Sequence, residues 1–113
     1  MILLIHFNSK GGRKREIKKN KEDAKLTLAL SGRLDTLTAP QMEEVVRNEM
    51  EGVTALLIDL KDLTYVSSAG LRVLLMAQKT MNSRKGTMEI CNVCDDIKEV
   101  FAITGFADIF TIK

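Results

Sequence analysis

Residues 56–75 read LLIDLKDLTYVSSAGLRVLL. An apolar run, a polar stretch and a second apolar run follow one another, with Ser67-Ser68-Ala69-Gly70 at the last junction. The pattern predicts a buried strand, a polar loop and a helix. A serine just ahead of an apolar helical run is a natural helix cap, contributing about 1 kcal/mol. A hydroxyl at that place is also well sited for a phosphate, because unpaired amides and the helix dipole favour an anion there. Both roles are open to Ser67 and Ser68 at this level.

Working outward from this stretch, residues 53–60 form a nearly continuous apolar run, the pattern of a strand covered on both faces. Thr38-Ala39-Pro40-Gln41 starts a helix, with Thr38 as cap, Pro40 in the first turn and Gln41 three residues after the cap. Met42, Val45, Val46 and Met50 give that helix its buried stripe, and Gly52 stops it. Two short strands, 15–19 and 25–30, precede it and flank a polar turn, Asn20-Lys21-Glu22-Asp23. Leu26, Leu28 and Leu30 alternate with Thr27 and Ala29, so one face of the second strand is strongly apolar. Residues 31–35 end it.

Downstream, a second helix covers 70–81, with Leu71, Leu74 and Met81 broadly on one side. Gly86 separates it from a strand over 87–93. Asp95 opens a third helix in which Ile97, Val100, Phe101 and Thr104 keep helical spacing, and Gly105 closes it. Residues 109–112 make a last short strand. The order β-β-α-β-α-β-α-β assigns the chain to the α/β class: a four- to five-stranded, mostly parallel sheet with an antiparallel N-terminal edge hairpin and three helices.

At 113 residues the chain has the length of one domain. Apolar residues make up 45% and Trp is absent, so the core is aliphatic. Sparse aromatics argue against single-strand nucleic-acid binding, which uses stacking platforms. Residues 1–25 carry eight Lys or Arg against three acids, whereas the remaining 88 residues carry nine against twelve. The basic character therefore belongs to the N-terminal end. Such an end suits RNA, DNA or anionic lipid, but a solvated first hairpin accounts for it as well, and no direct nucleic-acid partner is expected. Residues 1–14 are an N-terminal extension to a domain over 15–113. Within the extension, MILLIHF (1–7) is too short for a membrane span or a signal h-region with its flanks. An added edge strand, a disordered segment and upstream sequence all remain open for it, with a break at Gly11-Gly12. A cytoplasmic protein without membrane insertion is the expectation.

Cys91 and Cys94 form a C-x-x-C. Two thiols do not close a zinc site, and the single His, His6, lies in the extension. They read as buried or half-buried structural thiols of a reducing compartment. No nucleotide-binding glycine loop is present, and no His or Lys adjoins the serines to activate them. Neither an enzyme nor a cofactor is expected. In an α/β sheet, partners gather at the carboxyl ends of the strands. That places 32–38, 59–68 and 91–96 together, with Asp35, Asp59, Asp62, Thr64, Ser67, Ser68 and Asp95 towards one edge.

Three segments resemble the STAS domain of the bacterial anti-sigma factor antagonists, and the likeness spans roughly residues 15–113. SGRLDTLTAP (31–40) is similar to the family's strand-to-helix segment, with Asp35 at the acidic position. LLIDLKDLTYVSSAGLRVLL is similar to its phosphorylation segment. CDDIKEVFAITGFADIF (94–110) is similar to its C-terminal helix and exit. The family pattern D-S-S/T-G, aligned on Gly70, puts Ser68 on the phosphorylated serine, Ser67 on the aspartate and Ala69 on the second hydroxyl residue. The chain thus departs from the pattern at 67 and 69. The resemblance implies a partner-binding surface of Asp35, Asp59, Thr64, Ser67, Ser68, Gly70 and Arg72. It also implies an anti-sigma factor serine kinase and a PP2C-type phosphatase as partners. A STAS subunit of a membrane transport complex, docking without phosphorylation, is the alternative from another class; the basic N-terminal end would suit it.

Overall fold

The computed structural model of the chain describes the backbone of residues 2–8, 14–22 and 24–113, and side chains from residue 24 onward. Six strands and three helices follow in the order β1 (Ile2–Asn8), β2 (Lys14–Glu22), β3 (Lys25–Leu34), α1 (Ala39–Asn48), β4 (Ala55–Val66), α2 (Ser68–Ser83), β5 (Thr87–Cys91), α3 (Asp95–Thr104) and β6 (Thr111–Ile112). A 3-10 turn, Phe106–Asp108, precedes β6. The strands lie in the sheet in chain order. β1, β2 and β3 are antiparallel neighbours, whereas β3 to β6 run parallel through the helical connections. The α/β class holds, with a sheet of six strands rather than four or five. The sixth is β1, so Ile2–Asn8 takes the edge-strand conformation. The break expected at Gly11-Gly12, and Asp23 of the first turn, lie outside the described residues.

Burial alternates along the central strands and corrects the two-face reading of residues 53–60. Leu26, Leu28 and Leu30 of β3, Leu56, Ile58 and Leu60 of β4, and Met88 and Ile90 of β5 are buried. They share one cluster with Met42, Val45 and Val46 of α1, Leu71, Leu74 and Ala77 of α2, and Ile97 and Phe101 of α3. The residues between them, Thr27, Ala29, Leu57, Asp59, Glu89 and Cys91, are only partly covered. All three helices thus pack on one face. Leu57 made the run look two-sided, because a single apolar residue on the thin face hides a period of two.

The polar loop expected after residue 60 is the second half of β4. It pairs with the end of β3, Ser31 with Asp62, Gly32 with Leu63, Arg33 with Tyr65 and Leu34 with Val66. Two register shifts, between Ala29 and Ser31 and between Gly32 and Arg33, put extra residues into β4. These irregularities re-aim the strand, so that Leu63 and Val66 return to the core while Lys61, Asp62, Thr64 and Tyr65 face water. Backbone pairing, not side-chain hydrophobicity, keeps this stretch extended. β2 is likewise longer than expected and takes in Asn20, Lys21 and Glu22 of the anticipated turn.

β4 pairs with β5 only over residues 55–59, but with β3 as far as Val66. The ends of β3 and β4 therefore project as a two-stranded arm beyond β5. The loop into α1 and the N-terminus of α2 both grow from its tip.

Candidate functional site

The tip is assembled from Leu34, Asp35 and Val66 to Gly70. Ser67 is the cap of α2, in extended conformation, and its hydroxyl accepts from the Gly70 amide at 3.3 Å. Its own amide donates to the Leu34 carbonyl at 2.9 Å, tying the helix start to the end of β3. Ser68 is the first residue of α2. It is exposed, and its hydroxyl makes no hydrogen bond among the described residues. The two serines thus divide the roles that the sequence left open: Ser67 caps and Ser68 is presented. No acidic residue occupies the first turn of α2, so nothing on the helix itself opposes an anion there.

Gly70 is held by space rather than by a special backbone angle. A Cβ at this position would lie 2.6 Å from the Leu34 carbonyl oxygen, 2.9 Å from Leu34 Cγ and 2.9 Å from Val66 Cγ2. Glycine-to-alanine inside a helix ordinarily stabilises by about 0.5–1 kcal/mol. Here the sign reverses, because the obstructing atom is a backbone carbonyl already bonded to Ser67. Gly70→Ala is expected to lose about 1–3 kcal/mol through forced displacement of the α2 start, read as a lower urea midpoint. A stabilised variant would show that the helix and the arm are not in contact as described.

Asp35 shapes the facing loop. Its Oδ1 accepts from the amides of Leu37 at 3.0 Å and Thr38 at 3.2 Å, and the Thr38 hydroxyl oxygen lies 3.2 Å away. Arg33 Nε approaches Asp35 Oδ2 at 3.5 Å, and the Arg33 guanidinium lies 4.0 Å above the Tyr65 ring. Thr38 occupies the cap position of α1 as expected, and its carbonyl accepts from the Gln41 and Met42 amides, but its side chain makes no capping hydrogen bond. It is buried, and its hydroxyl donates to the Arg33 carbonyl at 2.8 Å while accepting from the Asp35 amide at 2.9 Å. The hydroxyl is committed to closing the loop, which leaves nothing for the helix. Leu37, at the apex, is 72% exposed.

Among the residues expected at the site, Asp35, Ser67, Ser68 and Gly70 come together. Thr64 stands on the arm, where its hydroxyl donates to the Gly32 carbonyl at 2.9 Å. Arg72 is exposed on the outer side of α2 and lines an open groove of about 450 Å³ with Leu75, Met76 and Lys79. Asp59 stands apart from them. It pairs with Ala29 and Cys91 and lies a stretch of strand, residues 60–65, behind Val66. Its Oδ1 accepts from the Lys61 amide at 2.9 Å and from Asn92 Nδ2 at 3.0 Å. Asp59 lies on β4 beside the C-terminal end of β5, short of the tip. Arg33, Tyr65 and Leu37 were missed. The Arg33–Tyr65 contact depends on a register that bulges shift, and no local signal in the sequence carries that register.

Of the two thiols, Cys91 is half-buried as expected and Cys94 is not; both are free, and Cys94 is exposed. Val93 takes the inward place, Asn92 turns through a positive φ of 57°, and Cys94 is left at the cap position of α3. Burial, and next the Asp59 carboxylate, push the Cys91 thiol up from its ordinary range. A raised thiol keeps its proton and reacts slowly. Iodoacetamide is therefore expected to label Cys94 ahead of Cys91, which peptide mapping over a time course would check.

Comparison with known proteins agrees with this architecture. The sequence profile of the STAS domain matches residues 14–113. The chain is 35% identical over 94 residues to BtrV of Bordetella bronchiseptica, covering 82% of this chain and 81% of that protein. It is 34% identical over 100 residues to the anti-sigma-B factor antagonist of Listeria monocytogenes, covering 87% of this chain and 86% of that protein. In fold it is similar to the anti-sigma factor antagonist SpoIIAA in its unphosphorylated form, with a TM-score of 0.70 at 15% identity over 86% of each chain. Family profile, relatives and fold agree across most of the length, and the chain belongs to the STAS domain family.

Proposed function

We propose that this protein is an anti-sigma factor antagonist switched by phosphorylation of Ser68. The unphosphorylated form binds an anti-sigma factor that is also a serine kinase, and the sigma factor is released. The kinase then transfers the γ-phosphate of ATP to the Ser68 hydroxyl, and the complex weakens. A PP2C-type phosphatase hydrolyses the phosphoester and resets the switch. The protein is substrate and ligand in this cycle; both catalysts are other proteins, and the setting is the cytoplasm.

The observation that carries the reading is the division of labour between the serines. Because Ser67 supplies the cap, modification of Ser68 removes no hydrogen bond from the fold. A phosphate adds about −1.5 to −2 charges at a helix N-terminus, which stabilises an anion by about 0.3–1 kcal/mol. The domain tolerates the group, and the cost falls on a partner that covers the tip. Asp35, Leu37, Thr64, Ser67 and Arg72 would line that contact, with the buried Gly70 behind them. Relatives named anti-sigma-B factor antagonist, and a structural neighbour solved in both unphosphorylated and phosphorylated forms, support the reading.

The test is intact-mass analysis of protein isolated from its own cells, beside Ser68→Ala. An added mass of about 80 Da that Ser68→Ala lacks is expected, the mark of one phosphate, and co-purification then identifies the kinase. Absence of the added mass under every growth condition would overturn the kinase-substrate reading in favour of a docking subunit that is not phosphorylated.

A further inference from the structure

β1 closes the sheet on one side, and its pairing leaves an unusual edge. Its seven residues pair with β2 alone, and among the described residues no strand lies on its other side. An edge strand offers a row of unsatisfied amides and carbonyls, which proteins normally blunt with charges, proline or shortness. β2 carries that protection: KREIKKNKE holds Lys14, Arg15, Lys18, Lys19 and Lys21. β1 covers this guarded edge with ILLIHFN, which contains no Lys, Arg, Asp, Glu or Pro. The opposite edge, β6, is two residues long. The sheet therefore exchanges a guarded edge for a long unguarded one, through a segment that precedes the STAS match at residue 14.

We infer that β1 is a self-association edge, on which two copies of the chain pair antiparallel about a two-fold axis at Ile5. The strand is self-complementary in that register. Ile5 faces Ile5, Leu4 faces His6, Leu3 faces Phe7 and Ile2 faces Asn8, so no position opposes like charges. Leu3, Ile5 and Phe7 share one face. Through β2 this face continues from Ile5 to Ile17 and Leu30, and from Leu3 to Lys19 and Leu28. It is the face that the helices cover further along the sheet. Pairing about the axis joins the two rows of Leu3, Ile5 and Phe7, satisfies the edge backbone of both copies and closes the assembly at two. The inference is independent of Ser68 and its switch.

Sedimentation velocity and native mass spectrometry of the full chain at micromolar concentration test it. A particle of twice the chain mass is expected. In the stated register position 4 of one copy faces position 6 of the other. Leu4→Lys with His6→Lys opposes like charges and should halve the mass, whereas Leu4→Glu with His6→Lys opposes unlike charges across the axis, and also Lys18 and Glu16 of its own β2, and should keep the dimer. Circular dichroism establishes that each variant is folded. A monomeric wild-type chain, an assembly that keeps growing with concentration, or equal masses for the two double variants would each overturn the inference.

Discussion

Ser68→Glu is expected to lower affinity for the anti-sigma partner about tenfold to a hundredfold while leaving the domain as stable as before. The two readouts diverge because the charge meets different surroundings in the free and bound states. In the free domain the new carboxylate sits on the first residue of α2, exposed and with no acid in the first turn. Its interaction with the helix N-terminus is favourable by about 0.3–1 kcal/mol, so the melting temperature should hold or rise slightly. In the complex the charge is brought against a partner surface and loses water. If it meets a carboxylate about 6 Å away, repulsion is roughly 2–3 kcal/mol at an effective dielectric of about 20, and each 1.4 kcal/mol is about tenfold in Kd. Titration calorimetry against the partner identified by co-purification measures the loss. The loss should shrink in high salt, because screening acts on the repulsion. Unchanged affinity together with unchanged stability would place the binding surface away from the tip of the arm.

Phe101→Ala is expected to cost about 3–5 kcal/mol, the largest stability effect foreseen for this chain. Phe101 is wholly buried. Its ring meets Phe110 edge-on, with centroids 5.4 Å apart and planes at 71°. Phe110 in turn stacks on Phe106 at 5.4 Å. Three of the four phenylalanines therefore hold α3, the 3-10 turn and the approach to β6 together. Truncation removes the filling of one end of a core that is aliphatic apart from Phe101 and Phe110. Against a typical total of about 5–15 kcal/mol, the loss corresponds to a fall in Tm of roughly 12–25 °C. Urea unfolding should show a lower midpoint at unchanged slope, the sign of lost stability without altered compactness. A loss below about 1 kcal/mol would mean that the site collapses around the smaller side chain.

Elements whose instructions are local were legible in the chain. The third helix runs from Asp95 to Thr104 with Ile97 and Phe101 inward, as the spacing predicted, and Gly105 ends it at a φ of 83° that favours glycine. The alternation over Leu26, Leu28 and Leu30 assigned the core face of β3 correctly. The window around Ser67 and Ser68 placed a helix cap there, within two residues of the observed start of α2 at Ser68, because capping is a contact over three residues. The relation to the STAS family was legible for the same reason, since its motifs are short and contiguous.

What stayed hidden depends on strand register. The second half of β4 looked like a loop, because its extended backbone is held by β3, about thirty residues earlier, and not by its own side chains. Two register shifts then set Arg33 on Tyr65 and Val66 beside Leu34, which draws Ser68 to the loop that Asp35 closes. The same register carries Asp59 away to Cys91 and Asn92, although it is near Ser68 in sequence. Which serine caps also awaited packing: the Leu34 carbonyl takes the Ser67 amide and excludes a Cβ at 70, and that contact sets where α2 begins. Local periodicity and capping are written in neighbouring residues and can be read there. Pairing between distant strands is settled only when the chain closes on its core, and here that closure is what builds the site.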